Sequence, residues 1–424
     1  MAGAGEADMI TPFTQRNILT KKRVLRRIDR LPLDNVPDPR GFKGRRHRSF
    51  TSFLSALSLG LLTGQRTRRD VSSMTHDLPL DVRRTLNIPA PISSTRLRDT
   101  LKIVDHEGLR RVLRRQVRHD RRCGFLKPSG LAINAVAIDG KFPADLKSWD
   151  HPAAQKVVLT PSTARGRCRV LNALLISSQS PACLDASPIP GKTNEIGHMP
   201  DFLKDLDEAY VKTGLLELIM ADGGNSSRGI ASQIHAMGSA YALRLTNLEG
   251  GIASDALRAL NRAEVVAKRT EARGGTWVTY RLYRVTTENQ RDYGWQGLSE
   301  WIRIERETSA GDVGHRDWAV SLDPERLSDD QWLEVLRRYW RVENTLHHTL
   351  DTVWREDASR PPWIATPAGV LALMILRRIV FNLLSVLRVR TQDRQIPGRP
   401  ISWRQLLRII DHMMVAPRAG AATL

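Results

Sequence analysis

Three carboxylates stand where local sequence patterns change. Asp139 closes the apolar run Leu131-Ala-Ile-Asn-Ala-Val-Ala-Ile138, Asp222 closes Leu216 to Ala221, and Glu343 lies in a helical pattern running from Asp330 to about Glu356. Hard divalent ions such as Mg²⁺ prefer carboxylate oxygen and water, and a pair of them stabilises both the attacking and the leaving oxygen of an in-line phosphodiester displacement. The chemistry that such a set can do is phosphoryl transfer, first hydrolysis by water and then attack of the freed 3′-hydroxyl on a second strand. Taken singly, an Asp before Gly is usually a turn residue and a helix Glu usually faces solvent. The weight therefore lies on the combination.

The elements that must position these acids are legible as period changes. Short apolar, β-branched runs read as strands at Leu131–Ile138, Cys168–Ile176, Ala182–Ala186, Leu216–Ala221 and Tyr241–Leu245. Helices are expected at about Asp201–Lys212 and Ile230–Met237, which gives the order β-β-β-α-β-α-β. Two strands then deliver Asp139 and Asp222 at their C-terminal ends. On the later helix, Glu343, His347 and Asp351 share one face, while Val342, Leu346, Leu350 and Val353 form an apolar stripe beside it. Between the fifth strand and that helix, alternating segments at Thr276–Val285, Trp301–Glu305 and Trp318–Leu322 read as extra β structure.

Upstream, residues 16–48 are dense in Lys and Arg and interrupted by Pro32, Pro37 and Pro39, which reads as a basic arm or linker. Ser49 to about Arg122 is helical in pattern, with Ser or Thr in Pro91-Ile-Ser-Ser-Thr95 capping a helix before Leu97. The arginines from Arg110 to Arg122 are open to two readings, a DNA-docking face or a solvated face.

Bulk composition narrows the partner. The chain of 424 residues holds 65 Lys plus Arg against 45 Asp plus Glu, a net charge of +20. That excess fits a polyanion. Membrane attachment needs a spanning helix or anchor, but Phe53–Leu62 is too short and Val370–Leu387 is interrupted by Arg377 and Arg378. Nucleic acid is the expected partner, with no membrane. Cys123, Cys168 and Cys183 form no C-x-x-C pair, which argues against a zinc module or disulfide framework and fits a reducing cytoplasm.

Local sequence then sharpens the class. Ala137-Ile-Asp139-Gly-Lys141, Gly191-Lys-Thr-Asn-Glu195-Ile196 and Trp340-Arg-Val-Glu343-Asn-Thr-Leu346-His347, continuing as Leu350-Asp351 and Arg355-Glu-Asp357-Ala-Ser-Arg360, resemble the H-repeat-associated branch of bacterial DDE insertion-sequence transposases. Asp38-Pro-Arg40 and Gly44-Arg-Arg-His47, followed by the apolar helix ending in Gly64, resemble the helical domain that precedes the catalytic core in that family. Three local departures stand out. Phe142-Pro143 replaces the family's Thr-x-Arg-Gly loop, Leu245-Thr-Asn247-Leu248 lacks its lysine, and Tyr339-Trp340 stands for its His-Trp.

The resemblance implies an α/β, ribonuclease-H-like mixed sheet flanked by helices, with a β-rich insertion after strand five and an N-terminal all-helical domain. The expected division is a basic arm at 1–48, a helical DNA-binding domain at 49–128, a catalytic domain at 129–388 with its insertion at about 249–325, and a tail at 389–424. It implies that Asp139, Asp222 and Glu343 bind Mg²⁺ or Mn²⁺ and catalyse cleavage and strand transfer of an insertion sequence. Lys141, Arg338, Arg341, His347, Arg45, Arg46, Lys268 and Arg269 become candidate DNA contacts. The implied partner is double-stranded DNA, as element ends and target, with a homodimer on DNA, in a bacterial, nucleoid-associated cytoplasmic setting. The alternative is a transposase-derived DNA-binding protein that no longer catalyses. Within the tail, Ile401–Met414 is expected to form one packing helix, with Trp403, Leu406, Leu407 and Ile410 on a face.

Overall fold

The computed structural model describes residues 19–40, 49–142, 145–146, 148–160, 163–246, 251–273, 275–287, 294–358, 363–391 and 401–415. Its first helix lies where the sequence suggested an arm. In α1 (Lys21–Asp29), Val24, Leu25 and Ile28 fall on one face among the arginines and are buried, and Thr20 caps the helix by accepting from the Arg23 N–H. Leu31, Leu33 and Val36 continue into the same core, so this stretch is folded rather than a linker. Charge density concealed a three-residue apolar stripe.

Helices α2 (Phe50–Leu62), α3 (Arg68–Asp77), α4 (Leu80–Thr85), α5 (Ser94–Ile103) and α6 (His106–Arg122) follow. Ser93 caps α5 through Arg96 N–H, as the sequence indicated. The first five strands are β1 (Ala135–Lys141), β2 (Asp145–Leu146), β3 (Ala154–Thr160), β4 (Thr163–Leu175) and β5 (Ala182–Ile189). Next come α7 (Glu195–Tyr210), β6 (Leu218–Ala221), α8 (Arg228–Ala236) and β7 (Ala240–Leu245).

The central strands lie in the order β5-β4-β1-β6-β7, with β4 antiparallel to its neighbours and β1, β6 and β7 parallel. This is the mixed, helix-flanked sheet expected above. Its parallel strands are apolar on both faces, as burial between two helical layers requires. The sequence reading missed β2 and β3, which pair with β4; β2 is only two residues long, and β3 leaves Val158 and Leu159 exposed instead of burying one apolar face.

The segment after β7 contributes α9 (Gly251–Leu260), β8 (Val265–Arg273), β9 (Thr276–Thr286), β10 (Glu300–Thr308) and β11 (Val313–Val320). Because β11 pairs antiparallel with β7, these strands prolong the central sheet in the order β7-β11-β10-β9-β8. The insertion is thereby anchored to the strand beside β6.

The expected continuous helix from Asp330 to Glu356 is instead three pieces. Helix α10 (Asp329–Arg338) leads to a π-helical turn at Val342–His347 and then to α11 (His348–Trp354). The wider turn buries both Leu346 and His347 and leaves Glu343 exposed. Such single π turns recur at functional sites.

Helix α12 (Pro367–Val389) is long and apolar enough to cross a membrane by length and composition, yet it is buried throughout inside the protein. It packs on α2, α5, α6 and β5. Helix α13 (Trp403–Met414) buries Leu406, Leu407, Ile410 and Met414, and Trp403 stacks on Phe381 at 5.4 Å, as the sequence led one to expect.

Two arginines of α6 turn inward rather than to solvent or DNA. Arg110 donates to both carboxylate oxygens of the fully buried Asp185 on β5, at 3.1 and 2.7 Å, and to Asp205 of α7 at 2.8 Å; Arg114 donates to Asp185 through both Nε and Nη2, at 3.1 and 2.6 Å. Removing one member of such a buried set leaves charges uncompensated, at a cost of about 3–5 kcal/mol. Asp185→Ala is therefore expected to lower the unfolding free energy by about that amount in urea denaturation, whereas Asp99→Ala, in an exposed pair with Arg98, is expected to leave the urea midpoint where it is.

Candidate active site

Strand register brings the first two acids together. The parallel pairing of β1 with β6 ends at Ile138↔Ala221, so Asp139 and Asp222 are the next residue on each strand. Neighbouring strands lie about 4.8 Å apart, which sets the two carboxylates side by side. On its other flank Asp139 pairs with Asn172 of β4, so these two side chains share a face. Glu343 comes from the π turn, which packs against β1 and β4.

The electrostatics report the convergence. Burial, followed by the charges of Asp222 and Glu343, pushes Asp139 up to about 8, against a 2.8 Å hydrogen bond from the Gly140 N–H to Oδ1. The same three acids, after burial, push the Tyr339 hydroxyl well above its ordinary range. Asp222 is further held by a 2.9 Å bond from Asn225 to Oδ1, while its backbone carbonyl accepts from Ser226.

A fourth carboxylate, Glu195 at the start of α7, couples to Asp139 and Asp222. Its carboxylate occupies the space that a Cβ on residue 140 would fill, so Gly140 is required for this approach. Glu195 appears in the sequence motif above but was not assigned to the site. Neither was Tyr339, whose signal was its position four residues before Glu343.

Other candidates are placed differently. Lys141 is buried and donates 2.7 Å bonds to both oxygens of Asp351, so each neutralises the other. Arg338 donates to the carbonyls of Ser129 and Ser177 and to Glu334, and Arg341 donates to the carbonyls of Ile176 and Ser178. Both were expected at a DNA surface; instead they clamp the active-site helix to the end of β4. Arg269 pairs with Glu334 at 2.8 Å, and Lys268 is exposed on β8. Arg45 and Arg46 lie outside the described residues, as do Asn247, Leu248 and Arg360.

His347 lies with Nδ1 3.6 Å from Asp139 Oδ2, inside rather than on a DNA-facing surface. Burial, then the Lys141 and Arg378 charges, push it down to about 3, so it is a neutral imidazole near pH 7.

A cavity of ≈ 600 Å³ opens beside Trp340 and Asn344, between the α10–α11 segment and the inserted strands. Arg244, Arg306, Arg316 and Arg337 line it with Tyr280, Trp340 and Asn344. Arg316 lies 4.0 Å over the Trp340 ring, and Nε of both Arg244 and Arg337 is buried without a hydrogen-bond partner among the described residues. These arginines were not singled out in the sequence. They come from four separate elements, and only the folded register gathers them.

A family model described as "Transposase DDE domain" matches residues 136–383, more than half of the chain, and spans all three acids. The chain belongs to the DDE transposase family. No curated protein matches it. Among solved structures, that of a piggyBac transposase synaptic complex with hairpin DNA, from cryo-EM, is similar at a TM-score of 0.45 and 11% identity, covering 95% of this chain and 81% of that one.

DDE transposases use divalent metals, and the donor chemistry here suits them. The acids offer only oxygen, and their mutual repulsion is what a hard cation relieves. Among the described residues no group of three His, Cys, Asp or Glu side chains is closed up as a ready coordination shell.

The raised Asp139 carboxyl fixes a pH dependence for the metal-free protein. The unfolded chain loses this proton near the ordinary value of 3.8, while the fold keeps it to about 8, so the fold loses stability as pH rises through that window. Asp139→Asn abolishes the loss. In EDTA it is expected to melt a few degrees above the wild type at pH 8 and level with it at pH 3.5, by scanning calorimetry.

Proposed function

We propose that this DDE transposase cuts and joins DNA at the ends of an insertion sequence, using Mg²⁺ or Mn²⁺ held by Asp139, Asp222 and Glu343. The observation that carries the reading is the adjacent register of Asp139 and Asp222, with the Glu343 charge acting on the same carboxyl. The ions supply Lewis-acid stabilisation of the charge that develops on phosphate oxygens. In the first step water forms a bond to phosphorus as the bond to the 3′ oxygen breaks, leaving a 3′-hydroxyl and a 5′-phosphate. In the second that hydroxyl forms the new bond to a target phosphorus as the target strand's own 3′ oxygen leaves.

The protein's task is positioning. Arg244, Arg306 and Arg316 of the adjacent cavity offer phosphate donors, while Arg337 is held by Glu271 and Glu334; Trp340, with Arg316 over one face, offers its other face to an unpaired base. The net charge of +20 supports non-specific attraction to the duplex. Tyr339 remains a neutral phenol beside the acids. Lys268 stays a candidate phosphate contact.

The motif Glu343-Asn-Thr-Leu346-His347 supports membership of the H-repeat-associated bacterial branch. The pairing of two element ends makes a homodimer on DNA, at the nucleoid, the expected working form. For the domains we propose DNA binding by the helices of residues 49–128 and catalysis by 129–388.

Cleavage of labelled duplex carrying the element's end sequence tests this reading with Mg²⁺ or Mn²⁺ present. Asp139→Ala, Asp222→Ala and Glu343→Ala are each expected to bind the duplex as the wild type does and to cut it about a thousandfold or more slowly, the scale of several kcal/mol of lost charge stabilisation. Wild type that binds without cutting under either ion would overturn it in favour of a transposase-derived DNA-binding protein.

A further inference from the structure

We infer that His347 is a positioning residue that orients the Asp139 carboxylate for its cation, and that Asn172, Arg378 and Glu356 set the tautomer in which it does so. The inference rests on the metal reading of Asp139 above. Its starting point is an anomaly of α12: an otherwise apolar, buried helix carries Arg377 and Arg378 in its middle, both buried. Apolar residues of similar volume would be at least as stable there. The two charges call for a reason.

Their contacts lead to the active site. Arg378 Nη1 donates to Glu356 Oε1 at 2.5 Å and to the Met374 carbonyl at 3.0 Å, and Arg377 donates to the same Glu356 oxygen at 3.4 Å. Glu356 reaches this position because Arg355 takes a left-handed conformation (φ 52°) at the end of α11 and turns the chain inward. Arg378 Nε donates at 3.0 Å to Asn172 Oδ1, Asn172 Nδ2 stands 3.3 Å from His347 Nε2, and His347 Nδ1 stands 3.6 Å from Asp139 Oδ2.

The direction of every bond follows from one fact, that a guanidinium can only donate. Glu356 and the Met374 carbonyl hold Arg378, so the Asn172 oxygen must face it; the flipped amide would set two donors together. The Asn172 N–H therefore points at His347 and makes Nε2 the acceptor. A neutral imidazole with Nε2 accepting carries its proton on Nδ1, facing Asp139.

Gly140 N–H already holds Oδ1, and His347 Nδ1–H faces Oδ2, so closing the second contact fixes the plane of the carboxylate. The gap of 3.6 Å is longer than a formed hydrogen bond. It is expected to close when Asp139 is loaded. Partners of this kind, one shell behind a ligand, typically change metal affinity by about 10–100-fold when removed.

The test is Mn²⁺ titration of the full chain, read by electron paramagnetic resonance of the free ion, with thermal melting of each variant alongside. His347→Asn places an amide N–H near the Nδ1 position, whereas His347→Gln reaches toward Nε2 and leaves Nδ1 without a replacement. His347→Ala and His347→Gln are expected to weaken Asp139-dependent Mn²⁺ binding by about 10–100-fold, and His347→Asn by no more than about threefold. If the ring only filled space, the larger Gln would be tolerated better than Asn. Equal behaviour of Asn and Gln, or wild-type affinity in His347→Ala, overturns the inference and leaves the metal reading standing. If Asp139→Ala binds Mn²⁺ as the wild type does, the metal reading fails and this inference with it.

Discussion

Carboxylates placed side by side repel, and the structure around residues 139 and 222 holds them together nonetheless. The force that does so is the hydrogen-bonded register of β1 and β6, which fixes the backbones through Ile138 and Ala221 and leaves the acids no choice of neighbour. Apolar burial on both sides of these strands makes the register firm, because a slip of one residue would turn Asp139 or Asp222 into the core. Burial first, and then this repulsion, raises the Asp139 carboxyl and the Tyr339 hydroxyl beside it. On the proposed metal reading, this repulsion is what a bound cation would relieve.

Much of the surrounding polar structure can be understood as support for that constraint. Arg338 and Arg341 bind the active-site helix to the carbonyls at the end of β4, so the segment carrying Glu343 cannot drift from the sheet. Trp354 extends the connection by donating its indole N–H to the Leu61 carbonyl of α2, which ties the end of α11 to the N-terminal helices. Lys141 and Asp351 neutralise each other close by, so neither adds an unpaired charge to the cluster. The segment that carries Glu343 also borders the arginine-lined cavity through Trp340 and Asn344.

The sequence revealed those features that depend on local pattern. The strands ending on Asp139 and Asp222 were legible because apolar β-branched runs stop abruptly at an acid, and α13 was legible from its apolar face at helical spacing. What stayed hidden depends on partners distant in the chain. The π turn at Val342–His347 differs from an α-helix by one residue of register, and nothing in Val342-Glu-Asn-Thr-Leu-His347 announces it. Arg110, Arg338 and Arg341 look in sequence like any exposed basic residue, and only the folded chain brings Asp185 and the β4 carbonyls to them. Glu195 was within a quoted motif, but its approach depends on the missing side chain of Gly140 across the sheet.

The central claim is that Asp139, Asp222 and Glu343 hold a common divalent ion. Anomalous scattering from crystals of the full chain grown with Mn²⁺ addresses it most directly, because the peak reports the ion's place without reference to activity. The account predicts a peak bounded by these three carboxylates that disappears in Asp139→Ala. A Mn²⁺ peak held elsewhere, with none between the three acids, would contradict it.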